Sequence, residues 1–237
     1  MKVIILAAGY ATRLYPLTEN TPKPLLPVQG KPIIDWIIDK LHAASVHDIY
    51  VVTNHKFYRH FQEWSNGRYT VVNDCTVNNE TRLGAIGDID YVIRTQHVDD
   101  DILVIAGDNL FSFSLVDFLN FFKEKKSTIV AVYDTQNSAL IANRLGCVEV
   151  NKNNKIIGFE EKPEHPKTTL AATACYVFPK QHLHYVKEAM QRHSDRPGEL
   201  VKFISEHEPV FAFRFTGHWF DIGTHDEYAR VNKEKLI

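Results

Sequence analysis

The sequence predicts an α/β protein, a Rossmann-like three-layer α/β/α fold around a mixed, mostly parallel sheet, and three observations lead there. Short runs rich in Val and Ile recur through the first 133 residues and read as strands of a buried parallel sheet. Between them lie stretches with apolar residues at helical spacing, and strand–helix alternation implies right-handed crossovers in a doubly wound domain. After residue 134 strands follow one another across short turns, which predicts an antiparallel or mixed extension of the same sheet.

In chain order, strands are expected at 3–7, 49–53, 70–73, 102–106 and 128–133. Helices at 33–44, 57–64, 83–94 and 115–123 alternate with them. Further strands at 147–150, 156–161 and 171–178 are separated by the turn-forming segments 151–154 and 163–166. Helices at 183–192 and 198–206 precede a strand at 211–215. The last helix opens with Thr224-x-x-Glu227, a capping-box spacing, and is expected to run to the C-terminus. No internal repeat, low-complexity stretch or Gly/Ser linker interrupts 1–237, which predicts one domain. No hexapeptide repeat follows the last helix, so a β-helical acyltransferase extension is not expected here.

Bulk composition narrows the function. With 44% apolar and 11% aromatic residues, 237 residues bury a substantial core, which argues against disorder. A net charge of −2 without a long basic run argues against nucleic-acid binding but leaves small phosphorylated ligands open. Cys75, Cys147 and Cys175 are odd in number and widely spaced, which predicts a reducing compartment without disulfides or a zinc knuckle. Asn79-Glu80-Thr81 fits a glycosylation sequon, but nothing else suggests secretion. The apolar start ends at Gly9, too early for a signal peptide or for a span of about 20 residues. A cytoplasmic protein without membrane attachment is expected, and a homodimer is left open.

Twelve histidines form neither His-Glu-x-x-His nor His-x-x-x-His; His55, His60, His182 and His184 read mostly as surface residues. There is no Gly-x-Ser-x-Gly elbow for a hydrolase, no Gly-x-x-x-x-Gly-Lys-Ser/Thr loop, and no Gly-x-Gly-x-x-Gly after the first strand. The second strand ends in Thr53-Asn54, where a dinucleotide fold wants an acidic residue. Phe118, Phe121 and Phe122 read as core.

What remains is the first βα connection, Leu6-Ala7-Ala8-Gly9-Tyr10-Ala11-Thr12-Arg13-Leu14, then Pro22-Lys23-Pro24-Leu25-Leu26-Pro27. In open α/β sheets, ligands bind outside the carboxyl ends of the strands. Small residues there let backbone N–H groups approach a nucleotide, and Thr12, Arg13 and Lys23 offer donors to phosphate oxygens. A lone cation in such a loop is more often merely solvated; the composition of the whole loop favours phosphate. Asp108 and Asp221 each follow a strand or strand-like segment, from which both could reach the same edge of the sheet. Two carboxylates completed by phosphate oxygens and water suit Mg²⁺. Taken singly, Asp108 reads equally as a helix N-cap and Asp221 as a cap of the last helix.

These segments resemble the sugar-1-phosphate nucleotidyltransferases, in a short form without a C-terminal β-helix, and six motifs match in order. The loop is similar to the family's Gly-x-Gly-Thr-Arg signature, with Ala11 in place of Gly. If that position requires positive φ, alanine costs about 1 kcal/mol relative to glycine. Leu83-Gly84-Ala85-Ile86-Gly87, Gly107-Asp108-Asn109, Leu145-Gly146-Cys147-Val148-Glu149, Phe159-Glu160-Glu161-Lys162-Pro163 and Trp219-Phe220-Asp221-Ile222-Gly223-Thr224 match the remaining five. Ala174 stands where relatives often have Gly.

The resemblance implies a Mg²⁺-dependent transfer from a nucleoside triphosphate to a sugar 1-phosphate, with pyrophosphate released. About 1–110 would form the nucleotide-binding half and about 111–237 the acceptor half. Leu6, Ala7, Ala8, Gly9, Tyr10, Ala11, Thr12, Gly84 and Asp108 are implied at the nucleotide. Gly146, Glu161, Lys162 and Thr173 are implied at the acceptor, Arg13, Lys23 and Lys162 as catalytic cations, and Asp108 with Asp221 as metal ligands. The alternatives are a CTP:phosphocholine cytidylyltransferase, whose acceptor would want an aromatic or acidic cage, and a non-catalytic nucleotide- or sugar-sensing module.

Overall fold

A computed structural model describes residues 1–192 and 195–234. Its first half alternates as expected: β1 (Lys2–Leu6), a small ribbon of β2 (Pro27–Val28) and β3 (Lys31–Pro32), α1 (Ile33–Ala43), β4 (Ile49–Thr53), α2 (Tyr58–Ser65), β5 (Thr70–Asn73), α3 (Gly84–Thr95) and β6 (Ile102–Ala106). Then come β7 (Asn109–Phe111), α4 (Leu115–Lys125), β8 (Thr128–Asp134), β9 (Gly146–Val150), β10 (Ile156–Glu161), β11 (Leu170–Phe178), α5 (His184–Met190), α6 (Pro197–Ser205), β12 (Val210–Phe215), β13 (Trp219–Asp221) and α7 (His225–Val231).

Among the described residues nine strands form one sheet in the order β10-β9-β11-β6-β1-β4-β5, with β8 on β11 and β12 on β8. β4, β5 and β6 run parallel to β1, and β12 to β8. β11 is antiparallel to β6, β8 and β9, and β10 to β9. All but β10 and β11 therefore point the same way. β1 alternates faces as a buried strand must: Ile4 packs in one core, Val3 and Ile5 in the other. α3, α5 and α6 cover the first face with Ile86, Ile89, Val186 and Leu200; α1, α2 and α4 cover the second with Ile37, Phe61, Phe118 and Phe122.

The chain passes from β1 outward to β4 and β5 and returns to β6 on the other side of β1. The strand order thus reverses between β1 and β6, and the crevice beyond their carboxyl ends is where open α/β sheets bind ligands.

Two features depart from the sequence reading. His182 is buried, its Nδ1 2.8 Å from Thr128 Oγ1, because the turn after β11 tucks the ring against β8 and Tyr185. The last helix ends at Val231, capped at its start by Thr224, whose hydroxyl accepts from the Glu227 N–H. The portion of that expected helix at 235–237 lies outside the described residues. No helix among the described residues is long and apolar enough to cross a membrane.

Candidate active site

Beyond β1 the chain enters a loop tied down from three sides. Asn54 Nδ2 donates to the Ala8 carbonyl at 2.9 Å, Thr18 Oγ1 to the Ala11 carbonyl at 2.8 Å, and the Tyr10 hydroxyl to the Thr76 carbonyl at 3.4 Å. A Cβ on Gly9 would meet nothing within 4 Å, so its surroundings are open space facing the crevice. Ala11 is left-handed, at φ 46°, ψ 41°, a conformation in which Cβ crowds the backbone. The cost of alanine there is therefore real. Ala11→Gly is expected to raise stability by about 1 kcal/mol, or roughly 2–4 °C in Tm, with activity preserved. Thermal unfolding with a parallel activity assay checks this, and a lower Tm would show that another contact of the methyl group outweighs the strain.

Three adjoining clefts meet at Arg13. One holds Leu6, Ala7, Gly9, Ala11, Lys23 and Asp108. A second, of about 530 Å³, runs past Ala8, Tyr10 and Thr12 to Gly84, Ala85 and Asp88, with Glu161 and Lys162 on its other wall. The third holds Asp108, Gly146, Glu161, Lys162, Thr173 and Asp221. Every residue expected at the nucleotide, acceptor or metal thus lines this crevice.

Lys23 is buried and its Nζ lies 2.5 Å from Asp108 Oδ2. The side chains of Arg13 and Lys162 make no hydrogen bond or ion pair among the described residues, leaving two cations available to anions in the cleft. Asp108 is not a helix cap: α4 starts later, at Leu115, where the Ser114 side chain accepts from the Asp117 N–H. Asp108 instead occupies the turn between β6 and β7. Asp221 does not cap either; it ends β13, opposite Asn109 of β7. This two-stranded ribbon, unseen in the sequence, brings the two carboxyls together. Crowding by surrounding protein and then the Asp108 charge raise the Asp221 carboxyl above the ordinary range, with Lys23 opposing.

Asn109 locks the ribbon to the main sheet. Its Oδ1 accepts from the Trp219 indole at 2.8 Å and its Nδ2 donates to the Thr173 carbonyl. The Thr173 hydroxyl is engaged with the Ala131 carbonyl at 3.0 Å, so its side chain serves the sheet first. Glu161 lies against two glycines: a Cβ on Gly198 would fall 2.0 Å from its Oε2 and one on Gly146 3.3 Å. Burial raises the Glu161 carboxyl, and Lys162 and Arg196 pull it back. Lys162 and Ala174 are both left-handed, φ 50° and 51°, and Ala174 sits where the β11–β8 register shifts, as in a bulge. Such strain concentrates at functional sites.

The pair fits a hard divalent cation. Asp108 and Asp221 supply carboxyl oxygens, the Asp221 side chain makes no hydrogen bond or ion pair among the described residues, and the Asp108 charge raises the cost of ionising Asp221. No third His, Cys, Asp or Glu joins them among the described residues, as suits Mg²⁺, which keeps water and substrate oxygens.

A family described as nucleotidyl transferase matches residues 2–236. The chain is 31% identical over 243 residues to the bifunctional protein GlmU of Methanocaldococcus jannaschii, covering 100% of this chain and 54% of that one. It is 30% identical over 239 residues to a Sulfolobus acidocaldarius protein assigned as a mannose-1-phosphate guanyltransferase, covering 100% of this chain and 63% of that one. The chain thus spans half to two thirds of the length of these curated relatives. A crystal structure from Bacillus anthracis, assigned as a glucose-1-phosphate thymidylyltransferase in complex with sucrose, superposes with a TM-score of 0.84 at 27% identity, over 98% of this chain and 94% of that one.

Proposed function

The chain belongs to the nucleotidyl transferase family, and on that premise we propose that it joins a nucleoside triphosphate to a sugar 1-phosphate, releasing pyrophosphate in a Mg²⁺-dependent reaction. What carries the reading is one arrangement: Arg13, Lys23, Asp108, Asp221, Glu161 and Lys162, from five separate segments, line adjoining walls of one crevice. Two similar proteins bear names that specify a sugar 1-phosphate.

In this reading a phosphate oxygen of the acceptor attacks the α-phosphorus in line, and the bond to the bridging oxygen of pyrophosphate breaks. A phosphate monoester is already ionised at neutral pH, so the protein need supply no strong base. Its work is positioning and charge neutralisation. Arg13 and Lys23 neutralise the triphosphate, and the open space at Gly9 admits the nucleotide to the backbone, with Gly84 lining the same crevice. Lys162 holds the acceptor phosphate and Glu161 binds sugar hydroxyls, on the Gly146 side of the crevice. Asp108 and Asp221 would hold Mg²⁺, which when bound stabilises charge developing at the α-phosphate. Residues 1–110 thus supply mainly the nucleotide side, and 111–237 the acceptor side, of one domain.

Incubating each of the four nucleoside triphosphates with a panel of sugar 1-phosphates and with phosphocholine, reading pyrophosphate, tests this. A sugar 1-phosphate should give the signal. Pyrophosphate with phosphocholine alone would assign a phospho-amine acceptor, and nucleotide binding without pyrophosphate from any pair would assign a sensing module.

A further inference from the structure

Asp74 and Asp88 form a buried carboxyl pair beside the far end of the nucleotide cleft. Asp74 follows β5, Asp88 lies one helical turn beyond Gly84 on α3, and their exposures are only 4% and 5%. Asp74 Oδ1 accepts from the Thr76 N–H at 2.7 Å and from its hydroxyl at 2.8 Å. Asp74 Oδ2 and Asp88 Oδ1 are both buried, and neither meets an N–H or O–H donor. The two side chains nonetheless stand close together, the Asp74 charge acting directly on the Asp88 carboxyl. Two buried carboxylates side by side with no donor between them are too costly for both to be charged, so the pair holds one proton. Burial, and then the Asp74 charge, push Asp88 up to about 8, so at neutral pH Asp88 carries the proton.

The consequence is chemical. With its proton turned toward Asp74, Asp88 is a neutral acid whose other oxygen, Oδ2, is a carbonyl-type acceptor. Asp88 lines the wide cleft with Gly84 and Ala85, and its Oδ1 is turned away, so Oδ2 is the polar atom that a ligand there can reach. A triphosphate neutralised by Arg13 and Lys23 leaves its nucleoside directed along this cleft, whose volume of about 530 Å³ suits one.

We propose that Asp88 reads the nucleobase, its cleft-facing oxygen accepting a hydrogen bond from an N–H on the base edge while its own proton stays turned toward Asp74. This rests on the placement of a nucleotide in the cleft argued under Proposed function. A site built to pair with an N–H rejects a base that offers only an acceptor there, because its own oxygen is left unpaired. Asp74 is thus a positioning residue. It fixes which oxygen of Asp88 carries the proton and is itself held by Thr76.

Titration calorimetry with Mg²⁺ and ATP, GTP, CTP, UTP or inorganic tripolyphosphate tests the assignment. Asp88→Ala is expected to weaken the preferred nucleotide by about ten- to a hundredfold and to flatten the preference among the four, with tripolyphosphate unchanged. Asp88→Asn should rescue binding to within about threefold of wild type, since its NH₂ replaces the proton turned toward Asp74 and its carbonyl faces the cleft. If Asp88→Ala does not fold, Asp88→Ser serves: it keeps a polar group toward Asp74, but one oxygen on a shorter side chain cannot also reach the cleft, so it too should lose the base. Nucleotide preference surviving in Asp88→Ala or Asp88→Ser, equal loss of nucleotide and tripolyphosphate, or failure of Asp88→Asn to rescue would each overturn the proposal. A wild-type protein that binds none of the four nucleotides would overturn the nucleotide reading along with it.

Discussion

Asp108→Asn is expected to lower turnover by at least about a hundredfold, the loss typical when a catalytic metal is deprived of a charged ligand. The substitution keeps the side chain's shape and one acceptor oxygen, so steric change is small. It also removes the anion that faces buried Lys23 at 2.5 Å. A buried cation deprived of its partner is costly, although the open crevice screens this one. A stability loss of about 1–2 kcal/mol should therefore accompany the kinetic loss. Assays well below the variant's Tm, with circular dichroism confirming a folded protein, separate the two. Near-normal magnesium-dependent turnover in a folded Asp108→Asn protein would remove Asp108 from the site.

Lys162→Met should cost about ten- to a hundredfold in kcat/KM for the acceptor while binding of Mg-nucleotide, measured without acceptor, changes little. The ammonium belongs to the residue just after β10, on the wall shared with Glu161 and Gly146, and a charge-assisted bond to phosphate contributes roughly 1.5–3 kcal/mol. Methionine retains the stem's bulk and removes only the charge. Lys23→Met should do the reverse. Lys23 lies in the first cleft beside Leu6, Ala7 and Gly9, so nucleotide binding itself should weaken. Calorimetry with Mg-nucleotide on both variants, beside kinetics against acceptor concentration, reads the difference. Lost nucleotide affinity in Lys162→Met but not in Lys23→Met would overturn this division of the crevice, and a merely solvated Lys162 predicts no change in either quantity.

The parallel half of the fold was legible because burial on both faces forces the Val/Ile runs at 49–53 and 102–106, which are strands over those same residues. The crevice residues were legible for a different reason: their motifs keep order and spacing even where geometry is hidden. The ribbon was not legible. Asn109–Phe111 and Trp219–Asp221 are three residues each, too short for a period of two to register, and the first merges into the apolar pattern leading into α4. Nor does a sequence mark backbone handedness at a non-glycine residue, so the left-handed Lys162 and Ala174 came only with the structure. Asp88 was hidden by its helix: one carboxyl among Ile86, Ile89 and Val92 reads as the polar face of an amphipathic segment. Its burial arises from α3 packing over β1 and β4, which sets it beside Asp74 just past the end of β5.

The β7–β13 ribbon also has a bearing on how the protein comes into being. Every strand of the large sheet is complete by Phe215, whereas the partner of Asn109 is Asp221. During synthesis at about 5–20 residues per second, Asp108 leaves the ribosome roughly 5–20 s before Asp221 does. Throughout that interval β7 is an open edge and the proposed carboxylate pair is single. A nascent chain halted at residue 218 therefore carries all nine strands yet lacks one of the two carboxyls proposed to hold Mg²⁺. Activity should appear as a step near the end of translation, with a premature stop there giving a folded but silent product.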